Sequence, residues 1–146
     1  MFDYQPHRDA FFRAVAVLEI PIGEALILPS VIAAEDLPVL YRAADVFCFP
    51  SVKEGWGLVV MEAIASGLPV LTANAFPFTE FLTPAQAQLV DPENPGAIAQ
   101  AMRDLADPAQ SRPLVVASQA ILPHYTWHRS AEMHLSHYHT LLAQMP

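Results

Sequence analysis

The sequence predicts an α/β fold, a parallel, doubly wound sheet with flanking helices, and three observations carry that expectation. Short apolar runs of strand length alternate with longer segments whose apolar residues recur at helical spacing. One such run, ending in Phe47-Cys48-Phe49-Pro50, feeds a Gly-x-Gly turn that opens a helix. The 14 prolines fall mostly at the ends of the expected elements, where a fixed φ and a missing N–H disturb least.

Residues 7–18 carry Phe11, Phe12, Val15 and Leu18 at helical spacing, and Pro21-Ile22-Gly23 ends that helix. Ala25-Leu26-Ile27-Leu28 follows as a short apolar strand. After a loop with Pro29, a helix near 35–43 leads into a buried strand, Asp45-Val46-Phe47-Cys48-Phe49. The next helix, at about 57–65, stops at Ser66-Gly67, a C-terminal signal. Residues 69–72 form the third strand, a short helical turn covers 78–82, and 88–90 is a brief fourth strand closed by Asp91-Pro92. Helices at about 95–105, 111–122 and 126–142 complete the chain. No repeat, low-complexity tract or second domain is visible, so residues 1–146 read as a single domain.

At 146 residues the chain is large enough to bury a proper core. Its apolar content of 53% places it among packed globules rather than disordered chains. No apolar run reaches the roughly 18 residues of a transmembrane helix, and Met1-Phe2-Asp3-Tyr4-Gln5-Pro6-His7 lacks the basic-then-apolar layout of a signal peptide. The single cysteine, Cys48, excludes an internal disulfide and suits a cytoplasmic location. Flanked by Phe47 and Phe49, it is expected to be buried core filling. A net charge of −8, with Lys53 the one lysine, argues against nucleic acid and anionic lipid as partners. It also makes any phosphate site depend on backbone N–H groups.

The most informative segment is Ser51-Val52-Lys53-Glu54-Gly55-Trp56-Gly57-Leu58-Val59-Val60-Met61-Glu62-Ala63. A strand that feeds a glycine turn and a helix N-terminus presents outward-pointing N–H groups and a favourable dipole to an anion. Gly55 and Gly57 can take φ > 0 and admit a ligand close to the backbone. Glu54 precedes the helix, and Glu62 lies on its second turn, about 7–8 Å further along at 1.5 Å per residue. Two acceptor-only carboxylates beside an anion site suit hydroxyls. Phosphates between two sets of hydroxyls describe a nucleotide sugar.

With these residues in view, the sequence resembles the retaining glycosyltransferases of family 4, which have the two-domain GT-B fold. Their donor-binding motif is Glu, seven residues, Glu, and Glu54 to Glu62 matches it. Leu40-Tyr41-Arg42-Ala43-Ala44-Asp45 is similar to the family's helix-to-strand junction, and Pro50-Ser51 to its strand end. Ala63-Ile64-Ala65-Ser66-Gly67-Leu68-Pro69-Val70-Leu71 is similar to the helix end and next strand, and Tyr125-Thr126-Trp127 to the closing element. Glu80 stands where many members carry a Glu after a glycine pair, which Phe76-Pro77-Phe78-Thr79 replaces here.

The resemblance implies a partial nucleotide-sugar-binding domain, a Rossmann-like sheet forming the incomplete C-terminal half of a GT-B enzyme. It implies sugar transfer from a nucleotide-sugar donor to an acceptor with retention, no metal, and no cofactor beyond the donor substrate. Glu62 is expected to accept from the ribose hydroxyls. Glu54 is expected to hold hydroxyls of the donor sugar beside the reacting carbon, as the candidate catalytic residue. Backbone N–H groups of Gly57 and Leu58, in the turn opened by Gly55, would meet the pyrophosphate or the sugar. Trp56 reads as a lid or a packing residue, Lys53 as a phosphate contact or a solvated side chain, and Val31 as a neighbour of the base. The family's catalytic His lies in the other domain, so the six histidines inherit no role. His134 and His137, three apart on one helix, read as a solvated face.

The four strands match the third to sixth of the family's order, which leaves 25–28 unpaired and exposes the edge of 45–49. Such an edge predicts self-association, or closure by the first strand moving over. The fragment alone is expected to have little activity. The alternative reading is a non-catalytic binding or assembly module that completes another chain.

Overall fold

The computed structural model describes residues 5–29 and 31–144. The chain divides into two compact units, Met1–Leu37 and Pro38–Pro146. In the first unit, helix α1 (Gln5–Val17) buries Val15 and sets the Phe11 and Phe12 rings edge to face, with centroids 5.3 Å apart. Beyond it, the strand expected at 25–28 does not form. The Pro21 carbonyl accepts from the N–H groups of Glu24, Ala25 and Leu26, and Gly23 N–H donates to Leu26. A local turn therefore takes the groups that a ladder would need. The one bridge in this segment, Ile22 with Leu26, is internal to that turn.

The second unit holds the sheet. Helix α2 (Leu37–Ala43), which starts on the last residue of the first unit, leads to β1 (Phe47–Phe49). Then come α3 (Leu58–Ala65), β2 (Val70–Ala73), a 3₁₀ turn at Phe78–Glu80 and β3 (Gln88–Val90). Helices α4 (Pro95–Ala106) and α5 (Pro108–Gln119), a 3₁₀ turn at Leu122–His124 and α6 (Trp127–Ala143) follow. The strands lie parallel in the order β1-β2-β3, with Cys48 opposite Leu71 and Thr72 opposite Leu89. Among the described residues the sheet has three strands rather than the expected four, and no further strand pairs with the outer edge of β1.

Both faces of the central strand are covered, as a parallel sheet requires. All four residues of β2 are buried. On one face Val70 joins Val60, Ile64 and Phe78 in the larger core cluster; on the other, Leu71 meets Val90, Ala101 and Leu105. Each Val, Leu, Ile or Phe side chain among them, fully removed from water, contributes about 1.5–3 kcal/mol. The Thr72 hydroxyl, also buried, donates to the Phe49 carbonyl at 2.9 Å and ties the end of β1 to β2.

Helix ends follow their local chemistry. Side chains of Asn94, Asp107 and Thr126 cap α4, α5 and α6 by accepting from Ala97, Ala109 and Arg129 N–H groups, at 3.0, 2.9 and 3.1 Å. α3 ends in a Schellman motif. Gly67 takes φ 85°, its N–H reaches Ile64, and Leu68 N–H reaches back to Ala63. Ser66-Gly67 stops the helix as its sequence predicted.

Cys48 is not core filling, because its side chain is exposed. Phe47 and Phe49 pack against the α3 face, so alternation turns Cys48 to the other one. There α4 packs on β2 and β3, and β1 is the edge strand. Partial desolvation still raises the thiol pKa. No helix among the described residues is long and apolar enough to cross a membrane.

Candidate functional site

The segment singled out by the sequence runs from the end of β1, through a loop, into α3. Its start is fixed at the Phe49 carbonyl, which accepts from Thr72 Oγ1 and from Ser51 N–H. Its turn is made by Gly57 alone, at φ 87° and ψ 47°. A Cβ built there would stand 2.6 Å from Phe78 Cε1, in a ring that is fully buried. Both the left-handed backbone and the adjacent ring demand glycine. Gly55 differs from the expectation: it does not take φ > 0, and a Cβ there meets nothing within 4 Å. Its N–H instead donates to Glu54 Oε1 at 2.9 Å. That local bond folds the Glu54 carboxylate back on the loop while the side chain stays half-buried.

α3 begins on Gly57 with no side-chain cap, unlike α4, α5 and α6. Val60 N–H bonds to the Gly57 carbonyl. Leu58 and Val59 occupy the first two positions, where an α-helix cannot satisfy N–H groups internally. Leu58 lies exposed at this end. Trp56 stacks on Phe81 with centroids 4.9 Å apart and meets Tyr125 at 5.5 Å, so its ring serves packing of the loop. A groove of about 720 Å³ opens beside it, walled by Trp56, Leu58 and Met61 on one side and by Tyr125, Trp127 and Met133 on the other.

Glu62 is the fifth residue of α3 and faces outward, while its neighbours Met61, Ala63 and Ile64 are buried. It is not a plain solvated side chain. The Tyr41 hydroxyl, from α2, donates to Glu62 Oε2 at 2.9 Å. Burial, reinforced by that bond and by the Glu62 charge, pushes the Tyr41 pKa up to about 12. The Tyr41 ring is half-buried and leans on Phe47, 5.7 Å between centroids. Phe47 stacks on Phe49, and Phe49 meets Phe78 edge to face. One run of aromatic contacts thus links the partner of Glu62 to the ring beneath Gly57.

The remaining expectations divide. Lys53 is exposed in the loop, where its carbonyl accepts from Ser51 Oγ at 3.2 Å. Val31 is exposed and belongs to the first unit, whereas Glu54, Trp56, Gly57, Leu58 and Glu62 all belong to the second. On α6, His134 Nδ1 lies 2.7 Å from the Ser130 carbonyl and His128 pairs with Glu132 at 3.2 Å. Among the described residues no group of three or more His, Cys, Asp or Glu is placed to hold a metal ion. Sequence reading gave Tyr41 and Thr72 no role. Tyr41 stood in a recognisable junction, but its link to Glu62 spans 21 positions and leaves no mark in local spacing.

Comparison with known proteins follows the same lines. Residues 16–113, which contain the whole Glu54–Glu62 segment, match the family described as Glycosyl transferases group 1. A D-inositol 3-phosphate glycosyltransferase of Salinispora tropica is 35% identical over 112 residues, covering 75% of this chain but 23% of the relative. Sucrose-phosphate synthase from Thermosynechococcus elongatus superposes with a TM-score of 0.80 at 30% identity, over 96% of this chain and 35% of that one. The C-terminal domain of a glycosyl transferase group 1 family protein from Francisella tularensis gives a TM-score of 0.70 over 82% of this chain and 62% of its own; at 22% identity it speaks for the fold alone. The chain spans well under half the length of the full-length relatives. It belongs to the glycosyl transferases group 1 family, and its parallel three-stranded sheet with flanking helices is part of a GT-B glycosyltransferase fold.

Proposed function

We propose that this chain is the donor-binding part of a glycosyltransferase that moves a sugar from a nucleotide-sugar donor to an acceptor with retention of configuration. The observation that carries this reading is the uncapped start of α3 at Gly57, set between Glu54 and Glu62 in the sequence of a group 1 family member. First-turn N–H groups favour the pyrophosphate by hydrogen bonding and by the helix dipole. Glu62, an acceptor with lone pairs to spare beside Tyr41, suits the cis-diol of a ribose. Glu54 would exchange its bond to Gly55 N–H for donor-sugar hydroxyls and so position the sugar near the reacting carbon.

Neither carboxylate is given an acid or base role. The leaving pyrophosphate gains charge as the glycosidic bond breaks, and preorganised N–H donors stabilise that charge. Lys53 is near enough in sequence to add a cation. Trp56 holds the loop through Phe81 and Tyr125 rather than stacking on the base. The donor serves as substrate, and we assign no separate cofactor or metal. Transfer also needs an acceptor site, which on this reading is expected in the parts of full-length relatives beyond the aligned span. The isolated chain is expected to bind donor far better than it turns it over.

Isothermal calorimetry with UDP-, GDP- and ADP-sugars, comparing wild type with Glu62→Ala, tests the reading. A loss of affinity of roughly tenfold or more is expected, on the scale of a charge-assisted hydrogen-bond pair. Unchanged affinity in Glu62→Ala would remove the ribose role.

A further inference from the structure

We propose that Tyr41 is a positioning residue for Glu62, presetting its carboxylate for a vicinal diol; this rests on the ribose reading of Glu62 given above. Glu62 lies on the exposed face of α3, where a glutamate ordinarily samples many rotamers and loses them on binding. Tyr41 changes that. Its hydroxyl reaches Oε2 at 2.9 Å from a different helix. Its ring has two side-chain torsions and is held by Phe47, itself stacked on Phe49.

The bond uses one lone pair of Oε2. Oε1 and the remaining lone pair of Oε2 are left to accept, which is what two adjacent hydroxyls of one sugar require. The same aromatic run continues through Phe49 to Phe78, the ring packed beneath Gly57. Diol acceptor and phosphate-facing turn are therefore both referenced to one rigid set of rings. A bond made only for stability has no reason to depend on the ligand. A positioning bond has a signature: its loss matters only when a diol and Glu62 are both present.

The test uses the full chain and whichever of UDP, GDP or ADP binds best, with its 2′-deoxy counterpart. Tyr41→Phe is expected to weaken the ribonucleotide roughly 3- to 10-fold, within the rotamer freedom of one glutamate. It is expected to leave affinity for the 2′-deoxy ligand unchanged, and to add nothing in a Glu62→Ala background. Thermal melts of each variant establish that they are folded. Equal weakening of both ligands, an undiminished penalty without Glu62, or no penalty at all overturns the positioning role while Glu62→Ala still reports on the ribose reading. If Glu62→Ala itself changes nothing, or the wild-type chain binds none of the three at millimolar concentration, both readings fall together.

Discussion

Replacing Gly57 by alanine tests the physical account of the motif without any ligand. The residue sits at φ 87°, where a side chain beyond Gly is strained. The added Cβ would lie 2.6, 3.4 and 3.5 Å from Cε1, Cδ1 and Cζ of Phe78. That ring has little room to yield: it is 0% exposed, with Phe49 and Phe81 edge-on at 6.2 and 6.3 Å. The left-handed backbone costs about 1–2 kcal/mol, and displacing a packed ring adds about 1–3 kcal/mol. Lower freedom in the unfolded chain offsets about 0.4–1 kcal/mol of this. Net destabilisation of about 1–4.5 kcal/mol is expected, a large part of a marginal fold's stability. Urea denaturation reads it as a fall in midpoint on the order of 1 M at unchanged slope. Gly55→Ala is the control, since nothing lies within 4 Å of its Cβ position and its φ is ordinary. Adding Phe78→Leu to Gly57→Ala should recover the steric part and leave the backbone part. A Gly57→Ala protein within about 0.5 kcal/mol of wild type would refute the reasoning.

Two further outcomes follow from titratable groups. The folded-state pKa of Tyr41, about 12, lies above its ordinary 10.0, so the folded chain holds that proton more tightly than the unfolded one. The associated stability is fully present below pH 10 and is lost as pH rises through about 12. Tyrosinate absorbance should show a late-titrating component from Tyr41 whose midpoint falls in Glu62→Gln; a midpoint that stays put contradicts the contact. Cys48 should react with a disulfide reagent in the native state because it is exposed, with a rate still rising at a pH where a free thiol has levelled off. A thiol that reacts only after denaturation would put β1 back inside the core.

The fold was legible wherever the determinants were local. Gln88–Val90 forms as expected, and α3, α4 and α6 begin within one residue of their sequence signals because glycine, asparagine and threonine mark their first turns. Ala25-Leu26-Ile27-Leu28 failed for the opposite reason. An apolar run of four is compatible with a strand, but a parallel strand needs a partner from far along the chain, and Pro21 offered a nearer acceptor. Cys48 was misjudged because two flanking phenylalanines look alike in a central and an edge strand; only the neighbours in the sheet tell them apart. In the site, the spacing of Glu54 and Glu62 and the need for glycine at 57 were visible. That Gly55 needs no special backbone was not, since a Gly-x-Gly string treats its glycines alike.

The Glu-x₇-Glu string thus sets a separation along the chain and little else; other elements decide where its parts stand. Thr72, from β2, holds the strand end from which the loop departs. Phe78, from a 3₁₀ turn after β2, dictates which residue can make the turn. Tyr41, from the helix before β1, decides which way the second carboxylate faces. All three meet the aromatic run Tyr41–Phe47–Phe49–Phe78, Thr72 through the Phe49 carbonyl and the others as members. Damage to this run reaches stability and, on the proposed reading, site geometry at once, whereas Glu62→Ala removes an exposed side chain and its bond to Tyr41 while leaving the rings in place. The motif's chemistry is local, but its precision comes from a core that the motif does not contain.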